Sequence, residues 1–228
     1  AGDDTQTDER GIETEGDSSD SENQGDKPDD DRPIGPEETS EEKEEGNNKK
    51  LYSTFPLFTG YKEYDFIEKL IAVAKSQLGE SEGAKGYTKF GEFFGHPYEA
   101  WCTEYVMWCI DQTEKETGLN YFKLYYPKTD YSGGCVDFYS KRGWFFKGGS
   151  SFIPRRGDIV VFDYDFDGVT DHTGLVTGVE YDESEDRLYI LTIEGNIPED
   201  EPGGIVRERR LAADWNKIYG YGTFLISE

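Results

Sequence analysis

The sequence predicts an α+β domain, with N-terminal helices packed on an antiparallel β-sheet and a disordered acidic tail in front. Three observations carry this. Apolar residues recur at helical spacing early in the domain, then switch to short β-branched runs after Pro154. Helices come first and strands second, which favours segregated layers over a βαβ alternation. Composition also divides the chain. Residues 1–50 hold 19 acids against 6 bases, contain no aromatic residue, and have Ile12 and Ile34 as their only large aliphatics. Such a segment cannot offset the entropy of ordering its own backbone. Residues 1–55 therefore read as a disordered, self-repelling tail or linker, and 61–228 as the folded domain. A solvated spacer is the simplest role for the tail; a prosegment or a partner-binding tail is the alternative.

The elements follow in order. Phe66, Ile67, Leu70, Ile71, Ala74 and Leu78 share one helical face, and Gly79 stops the pattern. Residues 80–99 are Gly-rich and aromatic and read as a loop. A second helix is expected from Pro97 or Ala100 to Thr117, stopped by Gly118. A third, shorter one is expected over 133–142, closed by Gly143. Strands are expected over 158–164 and 172–181, separated by the Asp167-Gly168 turn signal, and over 187–194. Residues 204–211 and 218–226 are weaker strand candidates.

Composition also excludes functions. The formal net charge is −25, so nothing here could neutralise a run of phosphates, and nucleic acid is not an expected partner. No run of about 18 apolar residues exists, so no transmembrane helix is expected. Three cysteines, an odd count, argue against a disulfide framework. The chain begins at Ala1 without Met, which fits a mature exported protein whose signal has been removed, or a trimmed chain.

The domain contains two histidines, His96 and His172, and three cysteines, Cys102, Cys109 and Cys135. Cys102 lies near the start of the predicted second helix, where unpaired N–H groups and the helix dipole stabilise a thiolate. His172 opens a predicted strand beside a turn and can project into a cleft. A helix N-terminal cysteine facing a strand histidine is an arrangement for acyl transfer. The imidazole needs an orienting group, and Ile193-Glu194-Gly195-Asn196 supplies two candidates, Glu194 and Asn196. Cys109, seven residues after Cys102, falls on the same helix side and reads as core, as does Cys135; a bond between the two is the lesser alternative. His96, just before Pro97, reads as a loop residue at the cleft rim; a direct role in substrate or metal binding is the lesser alternative. Asp163, Asp165, Asp167 and Asp171 fall at alternating positions around Gly168, as in a Ca²⁺-binding loop, although Gly174 stands where an EF-hand has its bidentate Glu. The other reading is an acidic hairpin.

Four blocks together resemble a known family. Trp101-Cys102-Thr103-Glu104-Tyr105-Val106-Met107-Trp108-Cys109 resembles the nucleophile helix of the CHAP family, the cysteine- and histidine-dependent amidohydrolases/peptidases. Tyr87-Thr88-Lys89-Phe90-Gly91 is similar to the run that precedes that helix in many members. The segment 154–163 resembles the family's Pro-x-x-Gly-Asp strand, and Asp171-His172-Thr173-Gly174 its histidine strand. Thr192-Ile193-Glu194-Gly195-Asn196 is similar to the segment carrying its third and fourth site residues. The resemblance covers roughly 61–228 and implies a papain-like fold, related to the NlpC-type cysteine hydrolases. It implies that Cys102 is the nucleophile, His172 the base and then acid, Glu194 the group that orients and charges the imidazolium, and Asn196 a secondary orienting or polarising residue. The Cys102 N–H would be one oxyanion donor, with a second from the preceding loop near Tyr98. Glu104 departs from the family, where a small or apolar residue is usual; facing inward it would oppose thiolate formation, and it can equally point to solvent.

The implied function is cleavage of an amide bond in peptidoglycan, as an N-acetylmuramoyl-L-alanine amidase or a stem or cross-bridge endopeptidase. The alternatives are a wall-binding module without turnover and a secreted cysteine peptidase acting on proteins. The chemistry needs no cofactor, a structural Ca²⁺ being the one candidate ligand. A secreted or wall-associated monomer of bacterial or phage type is expected.

Overall fold

The computed structural model describes residues 61–198 and 204–224. The acidic tail expected over 1–55 lies outside the described residues. Among the described residues, four helices, α1 (Tyr61–Lys75), α2 (Lys89–Phe94), α3 (Cys102–Thr117) and α4 (Ser132–Ser140), precede six strands: β1 (Phe145–Lys147), β2 (Ile159–Phe162), β3 (His172–Asp182), β4 (Arg187–Pro198), β5 (Gly204–Ala212) and β6 (Ile218–Gly222). The strands form one antiparallel sheet in the order β1-β6-β2-β3-β4-β5. The α+β class and its helices-then-strands order are thus as predicted.

Three details differ from the sequence reading. Residues 80–99 are not a plain loop. They contain a 3-10 turn, Ala84–Gly86, and α2, whose first turn is capped by the Thr88 hydroxyl accepting the Gly91 N–H at 3.0 Å. Helix α1 ends at Lys75, so Leu78 leaves the apolar face and is exposed. Strand β1 was not expected; three residues are too few to show a period.

The sheet buries both faces. On one, Ile159 and Val161 of β2 join Leu175, Ile193 and the apolar sides of α1 and α3. On the other, Val160 and Phe162 pack with Val176, Ile190, Ile218 and Tyr221. A strand buried on both sides has no polar positions, which is why Ile159-Val160-Val161-Phe162 is continuously apolar. The domain positions its site through the approach of α3 to β3 and β4. Thr103 and Thr173 hydroxyls hydrogen-bond at 2.9 Å, fully buried, tying the first turn of α3 to the start of β3. Gly195 removes the side chain that would obstruct this contact: a Cβ there would lie 2.7 Å from both the Trp101 ring and the Tyr105 Cβ.

Candidate active site

Cys102 is the first residue of α3 and is buried. Its N-terminal position leaves backbone N–H groups without helical partners, so the helix end is electropositive. His172 is the first residue of β3, also buried, and faces Cys102 closely enough to lower its thiol. Glu194, on neighbouring β4, has no solvent exposure, and its Oε2 lies 2.9 Å from His172 Nε2. The imidazole therefore presents its other nitrogen, Nδ1, to the sulfur.

Space for this contact comes from Gly174, opposite Glu194 in the β3–β4 register. A Cβ on Gly174 would stand 2.7 Å from Glu194 Cγ. Glu194 Oε1 accepts the Thr192 hydroxyl at 2.5 Å, and Oε2 also meets Arg209 Nη1 of β5 at 2.9 Å. The same Arg209 nitrogen donates to the Tyr164 hydroxyl at 3.3 Å.

The electrostatics follow from these contacts. Burial alone would push the Cys102 thiol up. The His172 hydrogen bond and charge, the Thr103 hydroxyl and the Thr173 backbone N–H outweigh burial and hold it below the usual thiol range. Burial would lower His172, but Cys102 and Glu194 together raise it to about 9. Burial would raise Glu194; His172 and Arg209 hold it down. All three shifts favour the charged forms: thiolate, imidazolium and carboxylate. Cys109 and Cys135, fully buried and unpaired, are pushed well above the thiol range. The three cysteines form no disulfide. Physical environment thus separates one activated thiol from two inert ones.

Two cavities flank Cys102, of about 470 and about 510 Å³. The larger includes His172, Tyr164, Arg209 and Asn196 in its wall. Asn196 sits in a bulge of β4 with a positive φ of 58°. It lines the cleft, but among the described residues no hydrogen bond joins it to His172, whose Nε2 is taken by Glu194. Tyr98 is exposed, lies edge-on against Tyr87, and lines neither cavity.

Glu104 does not point to solvent. It is fully buried, its Oε1 2.7 Å from His96 Nδ1. His96 Nε2 is 3.1 Å from Asp130 Oδ2. Burial pushes the Glu104 carboxyl up to about 7, aided by Asp130 and opposed by His96. The acidic hairpin brings Asp163, Asp165 and Asp171 together, with oxygens within 4.8 Å of one another; Asp167 is outside this group. Asp163 accepts the Phe166 and Gly168 N–H groups, and Asp171 the Tyr164 N–H.

Thr103, Thr173, Arg209 and Tyr164 escaped the sequence reading. Only Arg209 left a trace, as part of the basic run Arg207-Glu208-Arg209-Arg210 in an acidic chain. The arrangement can perform nucleophilic acyl transfer: an activated thiolate, a proton donor beside it, and a helix N-terminus for a developing oxyanion.

No curated protein and no solved structure matches the chain. Residues 92–196 match the family model described as the CHAP domain. That stretch holds Cys102, His172 and Glu194, the residues whose geometry makes an activated thiolate. The family is that of cysteine- and histidine-dependent amidohydrolases/peptidases, and residues 92–196 of this chain are similar to its domain.

Proposed function

We propose that this protein is an exported cysteine amidohydrolase that cleaves an amide bond of peptidoglycan, with Cys102 as nucleophile, His172 as acid and base, and Glu194 as the group that orients and charges the imidazolium. The observation that carries it is the Cys102–His172–Glu194 chain inside a stretch matching a family of such hydrolases. Peptidoglycan lies outside the plasma membrane, which supports export. No helix among the described residues is long and apolar enough to cross a membrane.

In the first step the Cys102 sulfur attacks the carbonyl carbon, and the C=O electron pair moves onto oxygen, which the Cys102 N–H at the helix terminus stabilises. The C–N bond then breaks as His172 gives its Nδ1 proton to the leaving nitrogen, leaving a thioester. A water attacks the thioester, His172 takes its proton, and the carboxylic acid leaves with the thiolate restored. Asn196 serves as a wall of the cleft on the histidine side.

The test is digestion of purified cell wall with mass analysis of the soluble products. Release of fragments with new amino termini at one kind of bond is expected, and the masses distinguish muramoyl–alanine cleavage from stem or cross-bridge cleavage. Binding to the wall without release would reveal a non-catalytic module; hydrolysis of protein substrates alone would make it a general peptidase.

The acidic hairpin enters the same reading as a structural Ca²⁺ site of Asp163, Asp165 and Asp171, whose order sets where His172 begins its strand. A carboxylate oxygen that accepts one N–H keeps a lone pair for a cation. A chelator should then lower the melting temperature and slow digestion, and Ca²⁺ should restore both. Mg²⁺ should restore them poorly, because it demands tighter octahedral geometry. Equal melting temperature and activity in chelator and in Ca²⁺ would leave the loop an acidic hairpin.

A further inference from the structure

The cavity that Cys102 lines without His172 has a chemistry that hydrolysis does not use. Its wall includes Glu99, Glu104, Asp130, Asp171 and His96, with no lysine or arginine. Its deepest acid is Glu104, whose side chain is 1% exposed. Glu104 Oε2 has no hydrogen-bond partner, and Oε1 touches His96 Nδ1 at 2.7 Å without the alignment of a hydrogen bond. A buried carboxylate left in this state is costly unless something supplies donors and positive charge. His96 supplies part, but its other nitrogen is engaged by Asp130 at 3.1 Å. One imidazole cannot balance Glu99, Glu104 and Asp130 together.

The missing complement is a cation that donates hydrogen bonds. A metal ion fits poorly. The two carboxylates meet opposite edges of the His96 ring, so the three groups do not converge on one point. A primary ammonium fits better: it is compact, carries three donors, and retains its charge on a flexible stem. The direction of the substrate follows from His172. The leaving nitrogen must reach that imidazole, which lines the other cavity and not this one. The acidic cavity therefore faces the residue that contributes the carbonyl.

We propose that the cavity formed by Glu104, His96, Asp130 and Glu99 is a specificity subsite for an ammonium group carried by the acyl-side residue of the substrate, such as the side chain of a diamino acid. Its place in the reaction rests on the amidohydrolase reading; its existence as a binding site does not.

The experiment separates the two. Full-length Cys102→Ala protein is titrated by NMR with three peptides: Nα-acetyl-Lys-Gly-Gly, the same peptide with its lysine Nε-acetylated, and Nα-acetyl-Gly-Gly-Lys. The first should bind about tenfold more tightly than the other two, since a charge-assisted contact to a buried carboxylate is worth that much. Its resonance shifts should centre on His96, Glu104 and Asp130. Glu104→Gln should erase the preference. If that variant does not fold, Glu99→Gln/Asp130→Asn, at positions closer to solvent, should cut the preference at least threefold. Equal binding of the three peptides, no measurable binding of the first, or a preference unchanged in these variants would overturn the subsite. A preserved preference with no hydrolysis by the wild-type protein would instead overturn the amidohydrolase reading and leave the subsite standing.

Discussion

Replacing Cys102 by alanine should abolish wall digestion, with a loss on the order of 10⁵-fold or more, while the protein keeps its fold. The expectation rests on environment rather than on position alone. Cys102 is the one thiol held below its usual range, whereas burial pushes Cys109 and Cys135 far above theirs. Neither can replace it, because each is closed off from solvent in the core. His172→Ala should be comparably severe, since it removes both the charge that sustains the thiolate and the proton the leaving amine needs. In the wild-type protein, turnover should fall as pH rises through about 9, where His172 gives up that proton. Far-UV circular dichroism and melting temperature, measured beside digestion, distinguish lost chemistry from lost folding. Near wild-type turnover in Cys102→Ala would assign the nucleophile elsewhere.

Glu194→Gln is expected to lower turnover on the order of 10²–10³-fold, less than loss of the thiol, because the group orients and charges rather than bonds. Glutamine keeps the shape and one acceptor but removes the charge shared by His172 Nε2 and Arg209 Nη1, each 2.9 Å from Oε2. The imidazolium is then less stabilised, and the thiolate with it. The direct readout is the pH dependence of iodoacetamide alkylation. In the wild-type protein Cys102 should react well below the ordinary thiol range. In Glu194→Gln the profile should move up toward that range. Stability should fall by about 1–3 kcal/mol. That is below the roughly 3–5 kcal/mol of a fully buried broken pair, because Arg209 is a quarter exposed and solvent recovers part of its charge. An unchanged alkylation profile would show that Glu194 is a packing residue.

The legible part of this protein was what depends on neighbours in sequence. Periodicity located α1, because one helical face must be apolar to bury itself, and Pro97 and Gly118 bracketed α3. Gly118 marked the end of α3 because it takes the left-handed cap, φ 71°. The β-branched runs located β2, β3 and β4. Scarcity did the rest: with two histidines and three cysteines, and one cysteine expected near a helix start, Cys102 and His172 stood out before any contact was known.

Tertiary structure decided which groups complete the site. Glu194 and Asn196 are two residues apart, and regular alternation would give them the same face. The bulge after Glu194 breaks that alternation, so Glu194 reaches His172 while Asn196 turns along the cleft wall. Arg209 meets Glu194 only through the β4–β5 register, and Thr103 meets Thr173 only where α3 crosses β3. The sequence left Glu104 free to face inward or outward, because nothing nearby says that His96 and Asp130 will close over it. The sequence by itself determined the α+β class, the helix that carries Cys102 and the strand that carries His172. The fold alone decided the charges around them, because a carboxylate's neighbours, and hence its pKa, are set by packing between segments far apart in the chain.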